Sequence, residues 1–393
     1  MKSEWKECTI GDLCSSVSDT YHGNDEKVVL VNTSDVLEGK ILNHKSVANK
    51  NLKGQFKKTF KKDDILYSEI RPANKRYAYV DFEETKRYIA STKLMVLRPN
   101  INLVLPRFLF AFLTSNDVLT ELQHLAETRS GTFPQITFSS ELASMPISVP
   151  CLDEQQKIAG ILSSLDEKIE LNNHINENLE AQIRSIYTQL SKEILGKAIM
   201  LSEVLDIRDG THDSPKFHKE GFPLITSKHL LPFGVNISNA NLISKEDYEK
   251  INKRSKVETY DILISMIGTV GLISLVIEEK INFAIKNVGL LKTSAIPKYA
   301  LFIFEYLNSA ETIQHIGKCL AGTTQKYISL GELRKMTIKL PDDRQLEKFN
   351  TIARPIVAQI SNFIFENRKL GEIRDTLLPR LMSGELDVSE IDI

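Results

Sequence analysis

The chain is written twice, and that repetition constrains its fold more than any composition figure does. Residues 131–150 align without gaps on residues 322–341, with seven of twenty positions identical at a constant offset of 191. Among them are Gly131-Thr132 and Gly322-Thr323, Glu141-Leu142 and Glu332-Leu333, Met145 and Met336, Ile147 and Ile338, and Pro150 and Pro341. The same offset joins Ile169 to Ile360, Asn176 to Asn367 and Leu179 to Leu370, and sets Ile10-Gly11-Asp12-Leu13 against Leu201-Ser202-Glu203-Val204. In between, Asp64-Ile65-Leu66-Tyr67-Ser68 matches Asp261-Ile262-Leu263-Ile264-Ser265 at an offset of 197, so the second copy gains six residues and later gives them back. Several blocks in one order mark a tandem duplication.

Each copy has two parts. Short apolar runs such as Val28-Val29-Leu30-Val31, Leu94-Met95-Val96-Leu97 and Ile262-Leu263-Ile264, separated by Gly, Asn and Asp, predict strands and turns. Helices are predicted over 106–125 and 297–316, each opened by a proline suited to a first turn. The second part is a long helix. Ile158, Leu162, Leu165, Ile169, Leu179, Ile183, Ile186 and Leu190 follow alternating steps of four and three, with Asn172 and Asn176 in the seam positions between them. A buried Asn in such a seam fixes register at a cost in stability. The later stripe reads Phe349, Ile352, Ile356, Ile360, Phe363, Asn367, Leu370, Ile373 and Leu377, with Pro355 placed to kink or restart it. Neither stripe carries its own cover, so the two helices are expected to pair antiparallel. The expected fold class is α+β: similar globular domains at 1–150 and 198–341, separated by helical spacers at 151–197 and 342–393 that form an antiparallel coiled coil.

A search for chemistry finds little. The chain has no phosphate-binding Gly-x-x-x-x-Gly-Lys loop, no Gly-x-Gly-x-x-Gly turn and no Asn/Asp-Pro-Pro-aromatic tetrapeptide of the base methyltransferases. His212, His218 and His229 lack nearby cysteines, and loop histidines are the simpler reading. Four scattered cysteines, no apolar leader at Met1–Lys6 and no membrane-length apolar run lead us to expect a soluble, cytoplasmic protein. The expectation is of a chain with no catalytic residue, metal or cofactor of its own. Two alternatives stand beside it: a metal-dependent nuclease built on Asp63, Asp64 and Glu69, and a coiled-coil scaffold without a DNA role.

Charge distribution says more. The net charge is −1, which excludes a generally polybasic protein, yet residues 45–76 carry ten bases against three acids, a local +7. Lys57, Lys58, Lys61, Lys62, Arg71, Lys75 and Arg76 lie there, interleaved with Phe56, Phe60, Tyr67 and Tyr77. Such a segment suits phosphate contacts on a nucleic acid. The second copy is less basic, with Lys253 and Arg254 in a run of five bases and three acids over 245–256. Its turn at 208–216 offers Thr211, His212 and Lys216 as donors. Residues 153–184 sum to −4, which suits protein partners better than DNA.

These pieces together resemble the specificity subunit of type I restriction-modification systems. The matching phrases are Asp209-Gly210-Thr211-His212-Asp213-Ser214-Pro215 with Gly221-Phe222-Pro223, the run from Asp261 to Gly271, and Gly322-Thr323-Thr324-Gln325. Similar too are the domain exit Met145-Pro146-Ile147-Ser148-Val149-Pro150 through Ile158, and the closing Leu377-Leu378-Pro379-Arg380-Leu381-Met382-Ser383-Gly384. The first copy departs from the pattern, with Glu69-Ile70-Arg71-Pro72 in place of the glycine turn. The resemblance implies two target-recognition domains, each reading one half of a bipartite, asymmetric double-stranded DNA site. It further implies a spacer that docks two methyltransferase (modification) subunits, where S-adenosylmethionine would be bound, and restriction/translocase subunits that join them.

Overall fold

One four-stranded antiparallel sheet is built in each copy. The computed structural model describes residues 5–50, 54–128, 134–322, 326–389 and 391. Lys53 and the paired glycine-block residues 131–133 and 323–325 lie outside the described residues. In the first copy Cys14–Val17, Leu94–Pro99, Ile65–Ser68 and Tyr77–Tyr79 lie side by side in that order. In the second the same places are held by Ile207–Asp209, Val288–Leu291, Ile262–Ser265 and Ile273–Leu275.

The strand registers show where the length difference sits. Leu97 faces Ser16 on one side and Ile65 on the other, and Leu291 faces Ile207 and Ile262. The offset is therefore 191 at the first strand, 197 at the next and 194 at the strand between them. The six extra residues enter before Ile262 and leave three at a time.

The apolar runs are continuous because both faces of this sheet are covered. Ile65, Tyr67, Met95 and Leu97 point into one core with the helices Pro106–Leu113 and Asn116–Thr128. Leu66, Leu94 and Val96 point the other way, onto a second sheet. The second copy divides its residues alike, Ile262, Ile264 and Leu291 on the helical side and Leu263, Val288 and Leu290 on the other.

Beneath the strand that enters at Ile65 or Ile262 lies a buried carboxylate. Asp64 is fully buried and takes Nε and Nη2 of Arg98 at 2.8 and 2.7 Å, with the Lys61 amide at 2.9 Å. Asp261, also fully buried, takes Lys292 Nζ at 2.5 Å and the amides of Glu258 and Ser294 at 2.8 and 3.1 Å. The duplication has kept this ion pair and changed its cation.

The copies differ in the second sheet. The first has Ser46–Ala48, Lys27–Val31, Tyr88–Ser91 and Phe56–Lys58 in that order, with Lys27–Val31 parallel to Tyr88–Ser91. The second keeps Asn241–Ile243, Phe222–Ile225 and Ala284–Ile285, again with a parallel pair, and among the described residues has no fourth strand. In its place the chain between 243 and 262 forms the helix Lys245–Ser255, held by Tyr248 stacked on Phe222 at 4.1 Å.

Each copy closes by pairing its entry with its exit: Lys6–Thr9 with Pro146–Val149, and Ile199–Met200 with Thr337–Ile338. A long helix follows each exit, Leu152–Glu193 and Asp343–Met382. Buried Gln155 clamps the first to its domain, its amide taking and giving hydrogen bonds at Leu105 N, Leu103 O and Pro150 O over 2.8–3.1 Å.

Two compact units result, Met1–Glu170 with Asn367–Ile393, and Leu171–Glu366, each taking half of each helix. The four-segment division expected from the sequence therefore cuts across the packing, because the helix ends belong to the domain cores. Ile158 and Leu162 pack with Leu109, Ile147 and Leu381 in the first unit. Ile183 and Tyr187 pack with Phe302, Phe349, Val357 and Ile360 in the second.

The helix halves run antiparallel within each unit. In the first, Asp166 accepts from Arg374 at 2.8 Å and Ile169 O from Asn367 at 3.5 Å. In the second, Asn172 donates to Glu366 at 2.8 Å and Glu193 O accepts from Gln345 at 3.4 Å. Partner numbers fall as helix numbers rise. Of the seam residues, Ile158, Leu162, Asn172, Asn176 and Ile183 are buried, while Leu165, Ile169, Leu179, Phe363, Asn367, Leu370 and Leu377 are half-buried. Ile352 and Ile373 are not seam residues: they are 46% and 37% exposed, and Ala353 and Val357 are buried instead. Pro355 does not restart the helix, which runs through it.

Candidate nucleic-acid interface

The basic segment of the first copy does not form one patch. Lys57 and Lys58 lie on the edge strand Phe56–Lys58, and Lys61 and Lys62 follow in the turn before Asp64. Arg71 and Lys75 instead flank the turn Pro72–Asn74 beside the other sheet, both with left-handed backbones at φ 46° and 53°. Lys58 turns inward: its Nζ donates to Leu94 O at 2.8 Å, and burial lowers its pKa. Lys62 pairs with Glu83 at 2.8 Å, Lys75 with Glu38 at 3.4 Å, and Arg76 donates to Ser34 O and Val36 O at 3.0 and 3.3 Å. Among the described residues, the exposed side chains of Lys57 and Lys61 make no ion pair or hydrogen bond, so their full charge faces solvent. Of the interleaved aromatics, Phe60, Tyr67 and Tyr77 are buried and offer no stacking platform for bases, and Phe56 is half-buried on the edge strand.

The carboxylates of the nuclease alternative do not converge. Asp64 is held by Arg98, Asp63 accepts from the Tyr79 hydroxyl, and Glu69 pairs with Lys93 at 3.1 Å. No cluster among the described residues has three groups suited to a metal ion.

In the second copy the turn is assembled around Asp209, 5% exposed at the end of the strand Ile207–Asp209. Oδ1 of Asp209 accepts from Arg254 at the end of the helix Lys245–Ser255, and Oδ2 lies 2.9 Å from His212 Nε2. The other ring nitrogen of His212 lies 2.8 Å from Asn287 Oδ1. The bonds to Asn287 and Asp209 raise the pKa of His212, against burial and the nearby Arg254. Two of the expected donors are thus spent within the protein: His212 has no ring nitrogen left for a base edge, and Arg254 is tied inward. Thr211 Oγ1 accepts from the Asp213 amide at 3.1 Å, which leaves its hydroxyl proton available. Lys216 and Lys253 are exposed, and among the described residues neither ammonium makes an ion pair or hydrogen bond.

Gly210 explains the closeness of the turn, since a Cβ there would sit 2.3 Å from Ile285 O. The sequence reading missed Asp209 and Asn287, because Asn287 lies 75 residues from His212. An aspartate three residues before a histidine was the only local sign.

Residues 2–181 match the family profile described as the type I restriction modification DNA specificity domain. A relative in Haemophilus influenzae, the type I restriction enzyme HindI specificity subunit, is 48% identical over 187 residues, 47% of this chain and 40% of its own length. The second copy repeats one four-stranded sheet of the matched half strand for strand and three strands of the other. The profile likeness to type I restriction-modification specificity subunits is carried by the first copy and its helix. The specificity subunit MjaIX of Methanocaldococcus jannaschii is 26% identical over 302 residues, 69% of this chain and 68% of its own. A crystal structure of a type I S subunit from M. genitalium shares the fold at a TM-score of 0.51 and 17% identity, covering 97% of this chain and 96% of that one. The match to the Haemophilus subunit covers less than half of that relative. None of the described helices is long and apolar enough to cross a membrane.

Proposed function

We propose that this chain is the non-catalytic DNA-reading subunit of a cytoplasmic type I restriction-modification complex. Each unit takes one half of a bipartite, asymmetric duplex sequence, and the paired helices set the spacing between halves. Those helices dock two modification subunits, which bind S-adenosylmethionine and methylate adenine, and restriction/translocase subunits complete the assembly. The observation that carries this reading is one sheet frame built twice with different cationic segments in the same slot: Lys57 and Lys61 on a strand and turn in one copy, Lys253 on a helix in the other. Like frames meet like backbones, and unlike slots read unlike bases.

Host DNA carrying the intact system should show adenine methylation at one bipartite sequence, lost when this chain alone is deleted. Methylation that persists after the deletion would overturn the reading. Within the complex, Lys57→Gln and Lys61→Gln should weaken binding to every sequence and reduce the salt slope by up to about 0.9 log units per lost phosphate contact. Lys58→Gln should leave the slope unchanged, because its ammonium already binds Leu94 O. A titration across salt concentrations checks both, and an unchanged slope for the double variant would mean those lysines face away from DNA.

A further inference from the structure

We propose that Asp209 and Asn287 are positioning residues that hold the imidazolium of His212, and through it the turn at 210–217, in the form that reads the second half-site. The inference rests on the DNA-reading function above. Four segments meet here: the strand end at Asp209, the turn at His212, the helix end at Arg254 and the backbone reversal at Asn287. Asn287 grips the turn twice, with its side chain on the ring and its amide donating to Thr211 O at 3.1 Å. Its φ of 54° is one that Asn tolerates better than most residues. With carboxylate and amide oxygens on opposite ring nitrogens, only the doubly protonated ring donates to both. The first copy holds its equivalent turn differently. There Ser18 stands in the place of Asp209, and the turn at Thr20 lies along the extra strand, with Tyr21 N to Lys57 O and Thr59 N to Asp19 O both at 2.8 Å. Backbone pairing does in one copy what a titratable cluster does in the other.

The sign of the pH effect follows. The pKa of His212 is raised above its ordinary value, so the clamp is complete at low pH and is lost as pH rises through the folded-state value. The charged groups facing the ring are Asp209 and Arg254; nearby Lys286 is turned onto Ser214 Oγ at 2.7 Å, and Arg208 onto Asp206 at 2.6 Å.

The test titrates the assembled complex with duplexes carrying the site that methylation sequencing defines, intact or with one half scrambled, at a series of pH values from 6 to 9. Discrimination at the second half should fall by about tenfold as pH rises, a loss comparable to one mismatched base pair, while discrimination at the first half stays constant. His212→Gln should flatten the profile at its high-pH level. Asn287→Asp, which sets a second carboxylate against the ring, should move the midpoint to higher pH; Asn287→Gly, which keeps the backbone and removes the acceptor, should move it lower. A wild-type profile in His212→Gln, unmoved midpoints in the Asn287 variants, or a fall shared by both halves would overturn the clamp. A complex that discriminates neither half at any pH would overturn the DNA-reading function itself.

Discussion

Lengthening both long helices by one heptad, after Glu170 and after Glu366, is expected to move methylation to a site with a wider gap and the same two half sequences. The chain divides into its two units at these positions, so the insertions leave each domain core intact. A heptad preserves the seam, and both helices must grow together because a single insertion leaves its partner short. Each helix lengthens by about 10 Å at 1.5 Å per residue. On duplex DNA that is about three base pairs. Sites with the original gap should no longer be modified. Methylation sequencing of host DNA reads the outcome directly, and a variant that still modifies only the original spacing would show that the helices do not set it. Lengthening one helix alone should reduce assembly with the modification subunits without producing a new site.

Removing the cation from a buried ion pair should destabilise one unit at a time. Arg98→Met leaves Asp64 buried and charged in the first unit, and Lys292→Met does the same to Asp261 in the second. Breaking such a pair costs about 3–5 kcal/mol, whereas replacing both partners by apolar groups is near neutral. Arg98→Met should therefore lower amide-exchange protection in the first unit only, and adding Asp64→Leu should restore most of it. Equal loss in both units would show that they do not unfold separately.

The duplication was legible because its most alike segments are the ones the frame cannot vary. Ile65 and Ile262 enter sheets buried on both faces, and the exits at Ile147 and Ile338 pair with the entry strands. The helical seam was legible in its period but not in every member. Ile352 falls on the stripe read from the sequence, yet it is 46% exposed and its neighbour Ala353 is buried in the second core. The division of the basic segment between two sheets was not legible, because net charge along a sequence does not record which sheet a residue joins. Lys58 and Arg76 spend their charge on backbone carbonyls. The cluster at Asp209 was invisible for a related reason: its partners come from a helix end and a backbone reversal distant in sequence, and three-dimensional closure alone unites them.

The stretch between Ser46–Ala48 and Ile65–Ser68 holds a strand, and the corresponding stretch between Asn241–Ile243 and Ile262–Ser265 holds a helix. Strand register on either side is the same in both, so the framework tolerates either secondary structure at that place without altering its hydrogen-bond ladder. Such a protein behaves as a chassis with an exchangeable cassette. Mutations there can be numerous and drastic while the fold's nucleus is untouched, since surface connections accept insertions at little thermodynamic cost. Under the proposed DNA-reading function, selection for a new target sequence would act on the cassette of one unit while the other keeps its half of the site.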